Sequence, residues 1–88
     1  MLKTGNQLKA ARALAGINQI NLAKMAGVNP NTISAMERCG SKTFKSGFET
    51  VCSVMMALET VGCEFSRDGV GVKLKSTLDA RQALALAS

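Results

Sequence analysis

Residues that could carry out acid–base, nucleophilic or metal chemistry are few and scattered in this chain. Its 88 residues include no histidine and only six acidic residues. The three cysteines, Cys39, Cys52 and Cys63, form no Cys-x-x-Cys pair, and their odd number is typical of reduced thiols in a cytoplasmic protein. A zinc site would need thiolates and carboxylates alone, and no nucleophile–base constellation or phosphate-binding glycine loop is present. The sequence therefore predicts no enzyme, no cofactor and no metal site.

Basic side chains are the most prominent chemical feature. The net charge is +5, and it is unevenly divided along the chain. Residues 1–46 contain seven basic residues and one acidic residue, a net charge of +6, whereas residues 47–88 contain four and five, a net charge of −1. A cationic first half followed by a near-neutral second half is typical of a module that binds a polyanion. Charge alone leaves a merely solvated basic face as the alternative.

Length and composition limit the fold that can position these charges. A chain of this length forms one domain with a modest core, which a second subunit would help to complete. Three phenylalanines are the only aromatic residues, so the core must consist of smaller aliphatic side chains, which favours close-packed helices. No apolar run approaches the roughly 18–20 residues of a membrane span, and no signal peptide is evident. We expect a cytoplasmic protein that does not contact membranes.

Capping residues and glycines predict four helices. Thr4 and Gln7 have the form of a capping box, Asn18 is a good N-cap, and Asn29-Pro30 is typical of a helix start. Gly27 supplies the positive φ that a tight turn needs. The predicted helices are residues 5 to about 15, Gln19 to Ala26, Pro30 to about Arg38, and about Phe48 to Val61.

Apolar residues recur on one side of each predicted helix and are expected to form the core. The fourth helix is expected to pack on the first and third. The inward residues would be Leu8, Ala11, Leu14 and Ala15; Leu22, Ala23 and Ala26; Ile33 and Met36; and Val51, Val54, Met55, Leu58 and Val61.

The chain changes character after residue 62. Residues 63–67 and 70–75, around Asp68-Gly69, predict two short strands, and residues 76–88 a short helix or a frayed tail. An isolated hairpin is marginally stable, so its apolar side chains need a partner. The same segment of a second subunit could supply one, which makes residues 63–75 the expected dimerisation element. The apolar side chains concerned are Phe65, Val70, Val72 and Leu74.

The second and third helices, with Gly27-Val28-Asn29 between them, form a helix-turn-helix from Gln19 to Arg38. Such a unit places its second helix in the major groove of DNA. Together these expectations describe a mainly α protein of four to five helices, with a helix-turn-helix domain in residues 1–62 and a short C-terminal β segment.

At this point the sequence resembles the phage-repressor-like helix-turn-helix family of the Cro/C1 or XRE type. The similarity extends from about Gln7 to Gly62, and the later β segment looks like the tail of small bacterial and mobile-element members. The residues that carry it are Gln19, Leu22-Ala23, Ala26-Gly27-Val28, Thr32-Ile33-Ser34, Met36-Glu37-Arg38 and Gly40.

The resemblance implies a set of DNA-contacting residues. Gln19 would contact a phosphate at the positive end of its helix. Asn31 is the best candidate for base readout, because its amide can pair with adenine in a bidentate manner. Asn29 is either an N-cap or a base contact, and the basic residues either contact phosphates or are solvated. The full set is Gln19, Asn29, Pro30, Asn31, Thr32, Ser34, Ala35, Arg38, Lys42 and Lys45.

Two further residues match family positions with a structural role. Arg12 and Glu37 are expected to form a partly buried ion pair that joins the first helix to the third. The expected function is a sequence-specific regulator of transcription, a repressor that binds double-stranded DNA as a homodimer at a near-palindromic operator. Two alternatives remain open: the antitoxin of a toxin–antitoxin pair, and a module that regulates another protein directly.

Overall fold

Helices occupy most of the chain, and a short hairpin follows them. The computed structural model describes residues 1–68 and 70–75, and this part confirms the predicted mainly α fold. The third and fourth helices end one residue earlier than predicted, because Arg38 and Val61 are their C-caps. The possible terminal helix in residues 76–88 lies outside the described residues. The elements are α1 (Gly5–Ala15), α2 (Gln19–Ala26), α3 (Pro30–Glu37), α4 (Phe48–Thr60), β1 (Cys63–Phe65) and β2 (Val72–Leu74).

Side-chain caps fix where the first three helices begin. The first N–H groups of a helix have no intrahelical acceptor, so a side-chain oxygen just before the helix stabilises them. Thr4 Oγ1 accepts from the Gln7 N–H at 3.2 Å, and Asn18 Oδ1 accepts from the Asn21 N–H at 2.7 Å. The start of α3 is fixed by a corresponding bond from Asn29, described below.

The core lies between the helices and includes side chains from all four of them. Two predicted inward residues are wrong, since Leu14 is 46% exposed and Val61 is 37% exposed. At about 100° per residue, Leu14 lies about 120° around α1 from buried Leu8, and Val61 follows the end of α4. Among the fully buried larger side chains are Leu8, Leu22, Ile33, Met36, Val54 and Leu58.

Helix α4 packs mainly against α2 and less extensively against α1. The predicted packing of α4 on α3 is not among the extensive contacts between helices. Helix α2 contacts both α3 and α4 extensively, which indicates that α2 lies between them. No helix in residues 1–68 or 70–75 is long and apolar enough to cross a membrane.

The hairpin packs against its own subunit. β1 and β2 are antiparallel, with Cys63 opposite Leu74 and Phe65 opposite Val72. Cys63 is buried, and the other three side chains are half-buried against the core. Helix α1 of the same chain contacts both strands and partly covers this apolar face, and the dimerisation role of the segment stays a prediction. Val70, the remaining predicted dimerisation residue, is 78% exposed.

Gln7 links the start of the chain to the hairpin. Its side chain is only 1% exposed, so its amide must find partners inside the protein. Oε1 accepts from the Lys3 N–H at 2.7 Å, and Nε2 donates to the Gly71 carbonyl at 2.9 Å.

Gly5 lies where the start of α1 approaches the end of α3 closely. A Cβ atom at this position would lie 2.5 Å from the Met36 carbonyl oxygen and 2.6 Å from that of Glu37. Both obstacles are backbone atoms, and the adjacent Asn6 N–H donates to the Gly40 carbonyl at 2.9 Å. Only glycine therefore permits this contact without a shift of one helix against the other.

Gly5→Ala is expected to lower the free energy of unfolding by about 1–3 kcal/mol, the usual range for overpacking. Urea denaturation followed by circular dichroism measures the change. Gly47→Ala is the matched control, because its Cβ would meet no atom within 4 Å and it should cost at most about 1 kcal/mol through the N-cap preference. Equal losses in the two variants would contradict the importance of the close approach at Gly5.

Candidate nucleic-acid interface

The α2–turn–α3 unit positions one short helix with its outer face open to solvent. Gly27 ends α2 with φ 69° and ψ 33°, a left-handed conformation that a residue with a side chain rarely adopts. Asn29 then begins α3, where its Oδ1 accepts from the Asn31 N–H at 2.8 Å. Ile33 and Met36 are buried, which fixes α3 from its inner side.

The outer face of α3 contains Asn31, Ala35 and Arg38, all of them exposed. Their spacing of four and three residues places them on one side of the helix. Pro30 is also exposed, and Thr32 and Ser34 are half-buried. An α-helix with its side chains is about 10–12 Å in diameter, which the major groove, about 12 Å wide, can admit.

The loop that follows α3 extends this face into an open depression of about 870 Å³, here called the basic depression. Four predicted DNA-contacting residues line it: Ala35, Arg38, Lys42 and Lys45. The structure thus brings together residues from a helix and from a loop that the sequence could only treat separately. Cys39, Thr43 and Phe44 complete the lining.

No carboxylate from the cationic half of the chain offsets the positive charge of the basic depression. The one acidic residue among residues 1–46 is Glu37, and only 8% of its side chain is exposed. Arg12 pairs with it through two bonds, Nε–Oε2 at 2.5 Å and Nη2–Oε1 at 2.9 Å. Hydrogen bonding to Glu37 raises the pKa of Arg12. Its Nη1 also donates to the Ile17 carbonyl at 3.2 Å.

Gln19 and Asn29 lie outside the basic depression. Gln19 is the first residue of α2 and is half-buried, and Asn29 uses its side-chain oxygen as the N-cap of α3. Asn31 differs from Asn29, because within the described residues its side-chain amide has no hydrogen-bond partner. Of the two asparagines, Asn31 therefore has both ends of its amide available for a base.

Sequence reasoning missed Thr43 and Phe44 as parts of this surface. The Phe44 N–H donates to the Lys3 carbonyl at 3.3 Å, Thr43 forms a β-bridge with Thr4, and the Phe44 side chain packs against the core. These contacts hold the loop carrying Lys42 and Lys45 against the start of the chain. A single aromatic residue in an otherwise polar, basic loop was the available signal.

The fold and this surface define a helix-turn-helix protein, and comparison with protein families agrees. Residues 8–38, from within α1 to the C-cap of α3, match the family model described as Helix-turn-helix, of the Cro/C1 and XRE type. This segment is therefore similar to a family of DNA-binding regulators. No curated protein matches the chain. The match covers the helix-turn-helix and suggests a DNA-binding regulator of transcription.

Arg12→Ala and Glu37→Ala are each expected to lower the free energy of unfolding by about 1.5–3 kcal/mol, because each leaves a charged partner largely buried and unpaired. The double variant should lose less than the sum of the two, with a coupling energy of about 1–3 kcal/mol. Urea denaturation of the four proteins measures this coupling. Additive losses would show that the two side chains act independently.

Proposed function

We propose that this protein is a transcriptional repressor that binds a near-palindromic operator as a homodimer, with α3 in the major groove of double-stranded DNA. The observation that carries the proposal is one continuous surface, from the exposed face of α3 at Asn31 to the basic depression at Lys45. It combines a side chain able to read bases with cations able to neutralise phosphates, as specific DNA binding requires.

The residues of this surface make two kinds of contact with DNA, to bases and to phosphates. Asn31 pairs with an adenine, and Arg38, Lys42 and Lys45 contact phosphates beside the groove. Pro30 and Ala35 are short and apolar, so they offer at most contact with a thymine methyl group. Since few side chains read bases directly, sequence-dependent DNA shape contributes to operator choice.

The remaining predicted contacts support α3 from its edges. Gln19, at the N-terminal end of α2, binds a phosphate with help from the helix dipole. Thr32 and Ser34 contribute hydroxyl groups to phosphates or bases. Asn29 acts mainly by capping α3.

Two subunits are needed because each presents only one short reading helix. A two-fold dimer presents two α3 helices to major grooves about 34 Å apart, which doubles the contacts and accounts for a near-palindromic site. Repression requires no additional device, since occupying a promoter blocks access to it. The antitoxin alternative depends on residues 76–88, which lie outside the described residues.

Recovery and sequencing of genomic fragments bound by the full chain tests the proposal. We expect one enriched motif with two half-sites about one helical turn apart, located at a promoter. A motif beside a toxin gene pair, with the toxin co-purifying, would favour the antitoxin alternative. Failure to retard any duplex at low salt would overturn the DNA-binding role and favour regulation of another protein.

Asn31→Ala is expected to weaken operator binding by about 1–3 kcal/mol, because one bidentate base contact is lost. Binding to unrelated duplexes should change little, since that binding depends on phosphates. Fluorescence anisotropy with the enriched motif and with a scrambled duplex measures both. Asn6→Ala, an exposed asparagine on α1, is the control and should leave both affinities unchanged.

Lys42→Gln and Lys45→Gln are each expected to reduce the slope of log K against log salt concentration by about 0.9, the effect of one phosphate contact. The affinity for operator and scrambled duplex should fall in parallel. Titrations at several salt concentrations give the slope. Lys73→Gln, an exposed lysine on the hairpin, is the control, and a slope change as large as that of Lys42→Gln would contradict the assignment.

A further inference from the structure

Helix α4 carries an apolar face that borders a groove on the surface. Phe48, Val51, Cys52 and Met55 follow one another at i, i+3, i+4 and i+7, which places them on one side of the helix. Phe48 is 76% exposed, and the other three are half-buried. All four line a shallow groove of about 320 Å³, here called the apolar groove. A contiguous apolar surface in a concave place is typical of a site that another segment covers.

The start of the chain and the loop before α4 supply the rest of the lining. Lys3 is the one charged residue in it. DNA is a poor occupant, because a nearly uncharged groove offers little to neutralise its phosphates. The occupant that fits is an apolar segment with little net charge. The lining residues from outside α4 are Met1, Leu2, Lys3, Thr43, Phe44 and Ser46.

Residues 76–88, here called the 76–88 segment, have this chemistry in their sequence, although they lie outside the described residues. Ala80, Ala83, Leu84 and Ala87 recur at i, i+3, i+4 and i+7, a pattern that predicts one narrow apolar face on a helix. The segment contains one acidic and one basic residue, so its side chains carry no net charge. A helix of thirteen residues is marginal in water, and its apolar face therefore needs a surface to pack against.

We infer that the 76–88 segment occupies the apolar groove of its own chain, packed as a helix antiparallel to α4. The place where the segment starts supports this. The Lys75 N–H donates to the Gly62 carbonyl at 2.7 Å, and Gly62 directly follows Val61, the C-cap of α4. The segment therefore begins beside the C-terminal end of α4, and a course back along α4 leads it to the groove.

The lengths of the two segments also match. Helix α4 has 13 residues, and the 76–88 segment has the same number, so each would be about 20 Å long as a helix. Counting residue for residue from Gly62 opposite Ser76 places residues 85 and 87 on either side of the level of Cys52. The alanines of the predicted face are small, which allows two helices to approach closely.

Covalent attachment favours this occupant over a second copy of the chain. A segment joined beside its site has an effective concentration in the millimolar range, on the order of 1,000 times that of a separate chain present at about 1 μM. The inference does not depend on DNA binding. A partner protein that binds residues 76–88 would have to displace them from the groove and would thereby expose Phe48.

Mild oxidation of the full chain in a Cys39→Ser background tests the inference. Ala87→Cys and Ala85→Cys each introduce a thiol near the level of Cys52, but the two positions lie about 200° apart around a helix. We expect Ala87→Cys to form a disulfide with Cys52 of the same chain about tenfold faster than Ala85→Cys, because only one of them faces α4. Cys63 is buried and does not compete. Peptide mapping identifies the bond, and a non-reducing gel separates linked dimers from single chains.

Three outcomes of the oxidation would overturn the inference. Equal rates for Ala87→Cys and Ala85→Cys would exclude a docked helix, because a helix presents only one of the two positions to α4. Disulfide-linked dimers would show that a second copy supplies the occupant. A rate for Ala87→Cys no faster than in denaturant would show that nothing holds the segment near Cys52. Thermal denaturation checks that both variants remain folded.

Alkylation of Cys52 gives a second test without an introduced cysteine. Leu84→Glu is expected to speed labelling about tenfold, because a carboxylate on the predicted face is costly in an apolar groove. Leu86→Glu is the matched control on the opposite side of the helix and should leave the rate unchanged. Cys63 is the unreactive reference, because it is buried and burial raises the pKa of its thiol.

The wild-type rate of Cys52 labelling should not depend on protein concentration, since the occupant belongs to the same chain. A rate that falls as concentration rises would show that a second copy covers the groove and would overturn the inference. A rate that Leu84→Glu leaves unchanged, or that both variants raise equally, would also overturn it.

Discussion

An eight-residue helix is unstable in water by itself, and the rest of this structure depends on how α3 is held. Its inner face is buried, and its C-terminal end is fixed against α1. Gly5 allows the two backbones to approach, the Asn6 N–H bonds the Gly40 carbonyl, and Arg12 holds Glu37 in a bidentate pair. Because these contacts all lie on the inner side and at the end of α3, the outer face remains open without weakening the helix.

One of these contacts, the Arg12–Glu37 pair, also determines the charge of the surface beside α3. Pairing with Arg12 removes the one carboxylate of residues 1–46 from the surface, so the cations of the α3 end and the following loop act without an acidic neighbour from that half. Phe44 anchors that loop to the start of the chain, because its N–H bonds the Lys3 carbonyl and its side chain packs against the core. The cations of the basic depression are therefore held on a loop that is fixed to the folded domain.

The ends of the helices were predictable from the sequence, because a capping side chain bonds a backbone group within three or four residues of itself. Thr4, Asn18 and Asn29 begin their helices as the sequence indicates, and Gly27 has the expected positive φ. Errors arose where the outcome depended on distant neighbours. Leu14 has the right spacing but lies at the edge of the buried face of α1. In the sequence, the apolar side chains of the hairpin have no evident packing partner. Only the folded chain shows that α1 contacts both strands and partly covers these side chains.

The sequence by itself determined the helix-turn-helix, the cationic first half and the ends of the helices to within a residue, since these follow from residue type and short-range spacing. Tertiary structure decided which residues share a surface. Arg38 joins Lys42 and Lys45 in one depression, and Phe48 faces outward although its helix is amphipathic. Such groupings depend on how α4 and the loop pack against α1 and α2, and no local pattern encodes that packing.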